Sequence, residues 1–183
     1  MAPPLPSLVY FIDGHGFGHA TRSLAILREI RQLCPEQPLL VRTSAPSFLF
    51  REGHFRVLAG DVGSGMVQAD PLTLDVPGSV AAALQFHARL PQLLEEEVAR
   101  LAVHGVGLIA GDIPMLAFQV ARRLGVPSIA LGNFSWDWIY EPYLEGSTGG
   151  AALLRRMREA YSGADLLLRM GLPEQTLSSV SKT

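Results

Sequence analysis

The chain has 183 residues, 48% hydrophobic and 17% charged, with 15 Lys and Arg against 17 Asp and Glu for a formal net charge of -2. That length suits one domain with a good-sized core, and the apolar content excludes a disordered chain. The near-neutral balance excludes a general field for nucleic acid or anionic membrane surface.

Cysteine usage and the N-terminus bound the compartment. The single cysteine, Cys34, excludes an internal disulfide, so a cytoplasmic location is expected. The start MAPPLPS lacks the Lys or Arg that precedes the apolar run of a signal peptide. No stretch approaches the roughly 18 apolar residues of a membrane span.

Leu8-Val9-Tyr10-Phe11-Ile12 reads as a buried strand feeding a turn at Asp13-Gly14. Leu24, Leu27, Ile30 and Leu33 recur at helical spacing, predicting an amphipathic helix over 20–33, capped by Thr21 or the residues just before it and ended by Pro35. A second strand over 39–43, a short helix from 44 to about 51 and a third strand over 55–59 follow. Residues 60–77 show no steady period and read as a long loop. A long helix over 79–103, bent or restarted at Pro91, carries Glu95, Glu96 and Glu97 on a solvated face. Strand 107–110 ends at Gly111-Asp112, Pro114 opens a helix to Leu124, and Gly125 stops it. A strand over 128–131, a helix over 151–161 and a last strand over 164–168 complete the pattern.

Alternating strands and helices imply an α/β, doubly wound, mostly parallel Rossmann-like sheet with helices on both faces. Ligands in such sheets bind beyond the carboxyl ends of the strands, where the segments 13–19, 111–114 and 132–138 should gather.

The chemistry concentrates in Asp13-Gly14-His15-Gly16-Phe17-Gly18-His19-Ala20-Thr21-Arg22. Gly14, Gly16 and Gly18 let backbone approach a ligand, and the helix start offers free N–H groups to a phosphate or carboxylate. The spacing Gly-x-Gly-x-Gly, with no acidic residue placed to close a ribose site, argues against a nicotinamide dinucleotide. His19, at the helix start, is the candidate general base, with packing as its structural alternative. His15 either joins it at the ligand edge or bonds the loop backbone. Arg22 either holds an anion or pairs with a surface carboxylate. Asp112, at a buried strand end, either orients His19 or caps the following helix. Asn133, Phe134, Ser135, Trp136 and Asp137 either stack on and bond a sugar or form a lid over the sheet edge. Cys34 is expected to pack, and no Cys/His cluster has metal-ligand spacing, so no metal site is expected.

The segment Gly-His-Gly-Phe-Gly-His-Ala-Thr-Arg resembles the first βα turn of GT-B glycosyltransferases. It is most similar to the glycosyltransferase-like N-terminal region of plant L-arabinokinase and its bacterial relatives. Val67-Gln68-Ala69-Asp70, Gly111-Asp112-Ile113-Pro114 and Asn133-Phe134-Ser135-Trp136-Asp137 resemble later segments of the same group in the same order. The resemblance implies the acceptor-side half of a GT-B enzyme over residues 1–170, with a polar tail at 171–183. Carried over, His19 deprotonates the acceptor hydroxyl and Asp112 orients it, without a metal. Gly14, His15, Gly16, Phe17, Gly18, Thr21, Arg22, Asn133, Ser135, Trp136 and Asp137 become substrate- or phosphate-binding residues. The expected partners are a small sugar or glycosylated acceptor and a second Rossmann-like domain or chain. That second domain, absent here, would hold most of the nucleotide-sugar donor, which is a co-substrate; no cofactor is expected. The alternative is a non-catalytic sugar or nucleotide-sugar binding module.

Overall fold

The computed structural model describes residues 4–170 apart from 54 and 71. The tail expected over 171–183 lies outside the described residues. Strands β1 (Ser7–Ile12), β2 (Leu39–Thr43), β3 (Arg56–Ala59), β6 (Val106–Asp112), β7 (Ser128–Gly132) and β8 (Leu166–Arg169) form one sheet in the order β3-β2-β1-β6-β7-β8. All its pairings are parallel. The chain order reverses between β1 and β6, and at such a switch point the connecting loops part to leave a crevice at the carboxyl edge. Ile12 pairs with Asp112, and Asp112 with Leu131, so β1 and β6 end on one rung and β7 one residue beyond it.

Helices cover both faces. Val9, Phe11 and Ile109 point into a core shared with α2 (Val76–Ala102), α3 (Leu116–Leu124), α4 (Trp136–Leu144) and α5 (Gly150–Tyr161). Leu8, Tyr10 and Ile12 point the other way, onto α1 (Gly18–Leu33). The alternation along β1 explains a continuous apolar run buried on both sides.

Several expectations need correction. Residues 60–77 are not all loop: β4 (Gln68–Asp70) and β5 (Thr73–Leu74) pair as a small antiparallel hairpin. α2 runs through Pro91 as one helix, begun by Asp75, whose carboxylate accepts from Gly78 N at 2.9 Å. Segment 132–138 is not wholly loop either, because α4 begins at Trp136. The helix after Pro114 starts at Leu116 and, as expected, ends at Gly125, which adopts the left-handed conformation.

Glu97 does not lie on a solvated face. It is fully buried and grips Arg42 through two bonds, Arg42 Nε to Oε2 at 2.7 Å and Nη2 to Oε1 at 2.8 Å. The rest of the guanidinium donates to the carbonyls of Leu58, Gly60 and Asp61. A buried ion pair survives only with its remaining donors satisfied, and here they are. Cys34 is exposed rather than packed.

Candidate functional site

The three segments expected to gather at the carboxyl edge do so. At the end of β1, Asp13 turns its buried carboxylate back into the loop, where Oδ1 accepts from His15 N at 2.8 Å and Oδ2 from Trp136 Nε1 at 2.8 Å. One side chain thereby ties the glycine-rich turn to the start of α4. Gly14 is tightly packed, since a Cβ there would meet the backbone of Ser44 and Ala45 at 3.0 Å as well as Ser44 Oγ. Gly16 has φ 66°, which an L side chain rarely adopts. A Cβ on Gly16 or Gly18 would meet no heavy atom within 4 Å, so this side of the turn faces open space.

α1 starts without a side-chain cap. The expected role of Thr21 as cap is not taken up: its hydroxyl donates to Phe17 O at 2.8 Å, and Phe17, at the cap position, is exposed. The first N–H groups of the helix therefore have no side-chain acceptor, and their partial positive charge is directed at the crevice.

His19, Arg22 and Ser23 lie on the side of α1 that faces β6 and converge on Asp112. His19 Nδ1 is 3.0 Å from Asp112 Oδ1; Arg22 Nε donates to Oδ2 at 3.0 Å and Arg22 Nη2 to Oδ1; Ser23 Oγ donates to Oδ2 at 2.8 Å. Asp112 is fully buried and makes none of its bonds to α3, so the capping alternative is not the one adopted. Burial pushes its carboxyl up, but bonds and charge from His19 and Arg22 outweigh that and hold it below the ordinary 3.8. A carboxylate on Nδ1 places the imidazole proton there, which leaves Nε2 with its lone pair available. Nε2 has no hydrogen-bond partner among the described residues, and the ring lies edge-on to Phe134 at 5.7 Å.

The residue after this carboxylate is held in an unusual conformation. Ile113 has φ 64°, a region that β-branched residues avoid. Its carbonyl accepts from Tyr161 Oη at 2.7 Å, and the same hydroxyl accepts from Trp136 N at 3.2 Å. Tyr161 thereby joins the β6 turn to the head of α4.

The other expected site residues divide into two groups. Asn133 reaches the cluster, with its Oδ1 accepting from Arg22 Nη1 at 3.2 Å. His15 sits half-buried, edge-on to Trp136 at 5.9 Å. By contrast Trp136 is packed among His15, Phe134 and Tyr140, with its indole N–H spent on Asp13. Ser135 and Asp137 are fully buried, and Asp137 lies 3.7 Å from Arg158. Of these three, Trp136 ties α4 to the end of β1, while the exposed aromatics of α4 are Trp138 and Tyr143. Sequence reading missed Asp13 as an anchor because a strand-end Asp-Gly resembles an ordinary turn. Among the described residues, no group of three or more His, Cys, Asp or Glu could hold a metal ion, and no helix is long and apolar enough to cross a membrane.

No family model matches the chain. It is 30% identical over 168 residues to L-arabinokinase of Arabidopsis thaliana, a match covering 88% of this chain and 16% of that protein. Among solved structures it is similar to MurG of Acinetobacter baumannii, with TM-score 0.51, 14% identity and coverage of 94% of this chain and 45% of that one. A UGT transferase from Siraitia grosvenorii in complex with UDP gives TM-score 0.56 at 14% identity, covering 96% of this chain and 43% of that one. The calicheamicin glycosyltransferase CalG4 gives 0.55 at 12% identity, covering 86% and 43%. The chain thus spans about one sixth of the curated relative and less than half of each of these structures.

Proposed function

We propose that this chain is a GT-B glycosyltransferase-like protein, the acceptor-side domain for transfer of a sugar from a nucleotide-sugar donor. The observation that carries the reading is the His19 Nδ1 contact with buried Asp112 at the switch-point crevice, with Nε2 left for a ligand. Nε2 takes the proton of an acceptor hydroxyl as that oxygen bonds the anomeric carbon of the donor. The bond from that carbon to the nucleoside diphosphate breaks, and the electron pair leaves with the diphosphate. Asp112 stabilises the imidazolium formed in the step.

Gly14, Gly16, Phe17, Gly18 and Thr21 form the turn and helix start that receive an anionic group of substrate, supported by uncapped N–H groups and open space at Gly16 and Gly18. His15 and Asn133 border the ligand, while Ser135, Trp136 and Asp137 support the wall behind it. The scheme needs no cofactor and no metal. The UDP bound by the Siraitia grosvenorii transferase supports a nucleoside diphosphate leaving group. In this reading the donor is held mainly by a second Rossmann-like domain or chain, and the 183-residue chain by itself turns over weakly.

One observation favours a non-catalytic sugar-binding module instead: the Arg22 guanidinium on Asp112 offsets the charge that would support an imidazolium. His19→Ala in a two-domain fusion separates the readings. The catalytic role requires turnover to fall by roughly 10²–10⁴-fold with ligand binding retained. Unchanged turnover removes His19 as base.

A further inference from the structure

Both oxygens of Asp112 are shared. Oδ1 takes His19 Nδ1 and Arg22 Nη2, and Oδ2 takes Arg22 Nε and Ser23 Oγ. An orienting carboxylate that served the imidazole alone would direct its full charge at that ring. Here a guanidinium, always charged, lies fork-on against the carboxylate, while its Nη2 is 3.2 Å from His19 Nδ1. Nδ1 and Nη2 are both donors in this arrangement, so they compete for Oδ1. Nη1 is anchored separately on Asn133 Oδ1 at 3.2 Å, which fixes the guanidinium from the β7 side.

We propose that Arg22 is a positioning residue that locks the rotamer of Asp112 against His19 and offsets its charge, thereby setting how readily His19 takes up a proton. The groups facing His19 are few. Arg22 lies on its own helix and Asp112 on β6, while Phe134, beyond β7, contributes an uncharged ring at 5.7 Å. Tyr10 of β1 lies behind Asp112, and burial pushes its hydroxyl up, so it adds no charge at neutral pH. The consequence for transfer rests on the reading of His19 as base, but the coupling itself does not.

The titration of the His19 ring protons, followed by NMR on the 183-residue chain without substrate, tests it. Arg22→Gln raises the midpoint of His19 above that of the unaltered chain, because a like charge leaves and the carboxylate is no longer divided. Arg22→Met stands in if the glutamine variant does not fold, and moves the midpoint the same way. Arg22→Lys keeps the charge with a single contact and restores at least half of the shift. Asp112→Asn moves the midpoint down. In a two-domain fusion, the acid limb of kcat against pH moves up with Arg22→Gln by the same amount. An unmoved or lowered midpoint in a folded Arg22→Gln or Arg22→Met chain overturns the inference, as does a lysine variant that shifts as far as glutamine. That result would leave the base reading intact, whereas transfer unaffected by His19→Ala would remove the base reading and leave the coupling standing.

Discussion

Asp112 links the chemistry of the crevice to the stability of the fold. Its carboxyl is lowered below the ordinary 3.8 in the folded chain, so the unfolded chain takes up the proton first as pH falls. The stabilisation is therefore fully present above 3.8 and is lost as pH drops through the folded value. Asp112→Asn is expected to cost about 2 kcal/mol at pH 7, the order of hydrogen bonds to a charged group. The deficit should shrink as pH falls below 3.8, and urea midpoints for both chains at pH 7 and pH 3 check this. A constant deficit would show that ionisation of Asp112 contributes nothing. The placement of His19 and Asp112 was legible because a glycine-rich turn and a strand-end carboxylate must both lie at the carboxyl edge, whereas Arg22 was expected on an anion or a surface carboxylate and instead pairs with buried Asp112. The burial of Ser135 and Asp137 was not, because polar side chains in an aromatic segment read as a loop until the helix from Trp136 is known.

Among the elements, α2 carries the clearest lesson and two predictions. Phe86, Leu90, Leu93, Glu97 and Leu101 are all buried and recur at three- and four-residue spacing, so Glu97 occupies a core position of the apolar stripe. That register was available in the sequence, but the run of three acidic residues masked it. Its partner could not be inferred, since β2 shows Arg42 merely as a polar residue in an apolar strand. Glu97→Leu leaves a buried guanidinium without its carboxylate and should cost about 3–5 kcal/mol in chemical denaturation. The double variant with Arg42→Met should recover part of that loss, and a double variant as unstable as the single would contradict this account.

Near the middle of α2, His87 is buried, and its ring is pushed down from 6.5 to about 4, first by burial and then by the Arg156 charge. The unfolded chain binds this proton before the folded one does. Stability is thus complete above pH 6.5 and falls by about 1.4 kcal/mol per unit as pH drops towards 4. His87→Leu should flatten the slope of stability between those values, measured by denaturant midpoints across that range. An unaltered slope would mean that the acid sensitivity arises elsewhere.

At the scale of the whole molecule, the alternation of strands and helices carried the fold in full outline: a six-stranded parallel sheet whose order reverses beside β1. The small β4-β5 hairpin escaped because strands of three and two residues leave no period to detect. The same architecture recurs in the solved structures it resembles, of which the chain spans less than half. In the proposed reading, this half supplies the base and the acceptor wall, and catalysis requires a facing donor domain. The isolated chain should then release little or no nucleotide from any of a panel of nucleotide sugars.

Nucleotide release, measured for the chain alone, for the chain fused to a donor-binding Rossmann-like domain, and for the His19→Ala form of that fusion, tests the central claim most directly. The account predicts negligible release by the chain alone, release by the fusion in the presence of an acceptor, and a loss of roughly 10²–10⁴-fold with His19→Ala. Robust transfer by the isolated chain, or a fusion whose turnover is indifferent to His19, would contradict it.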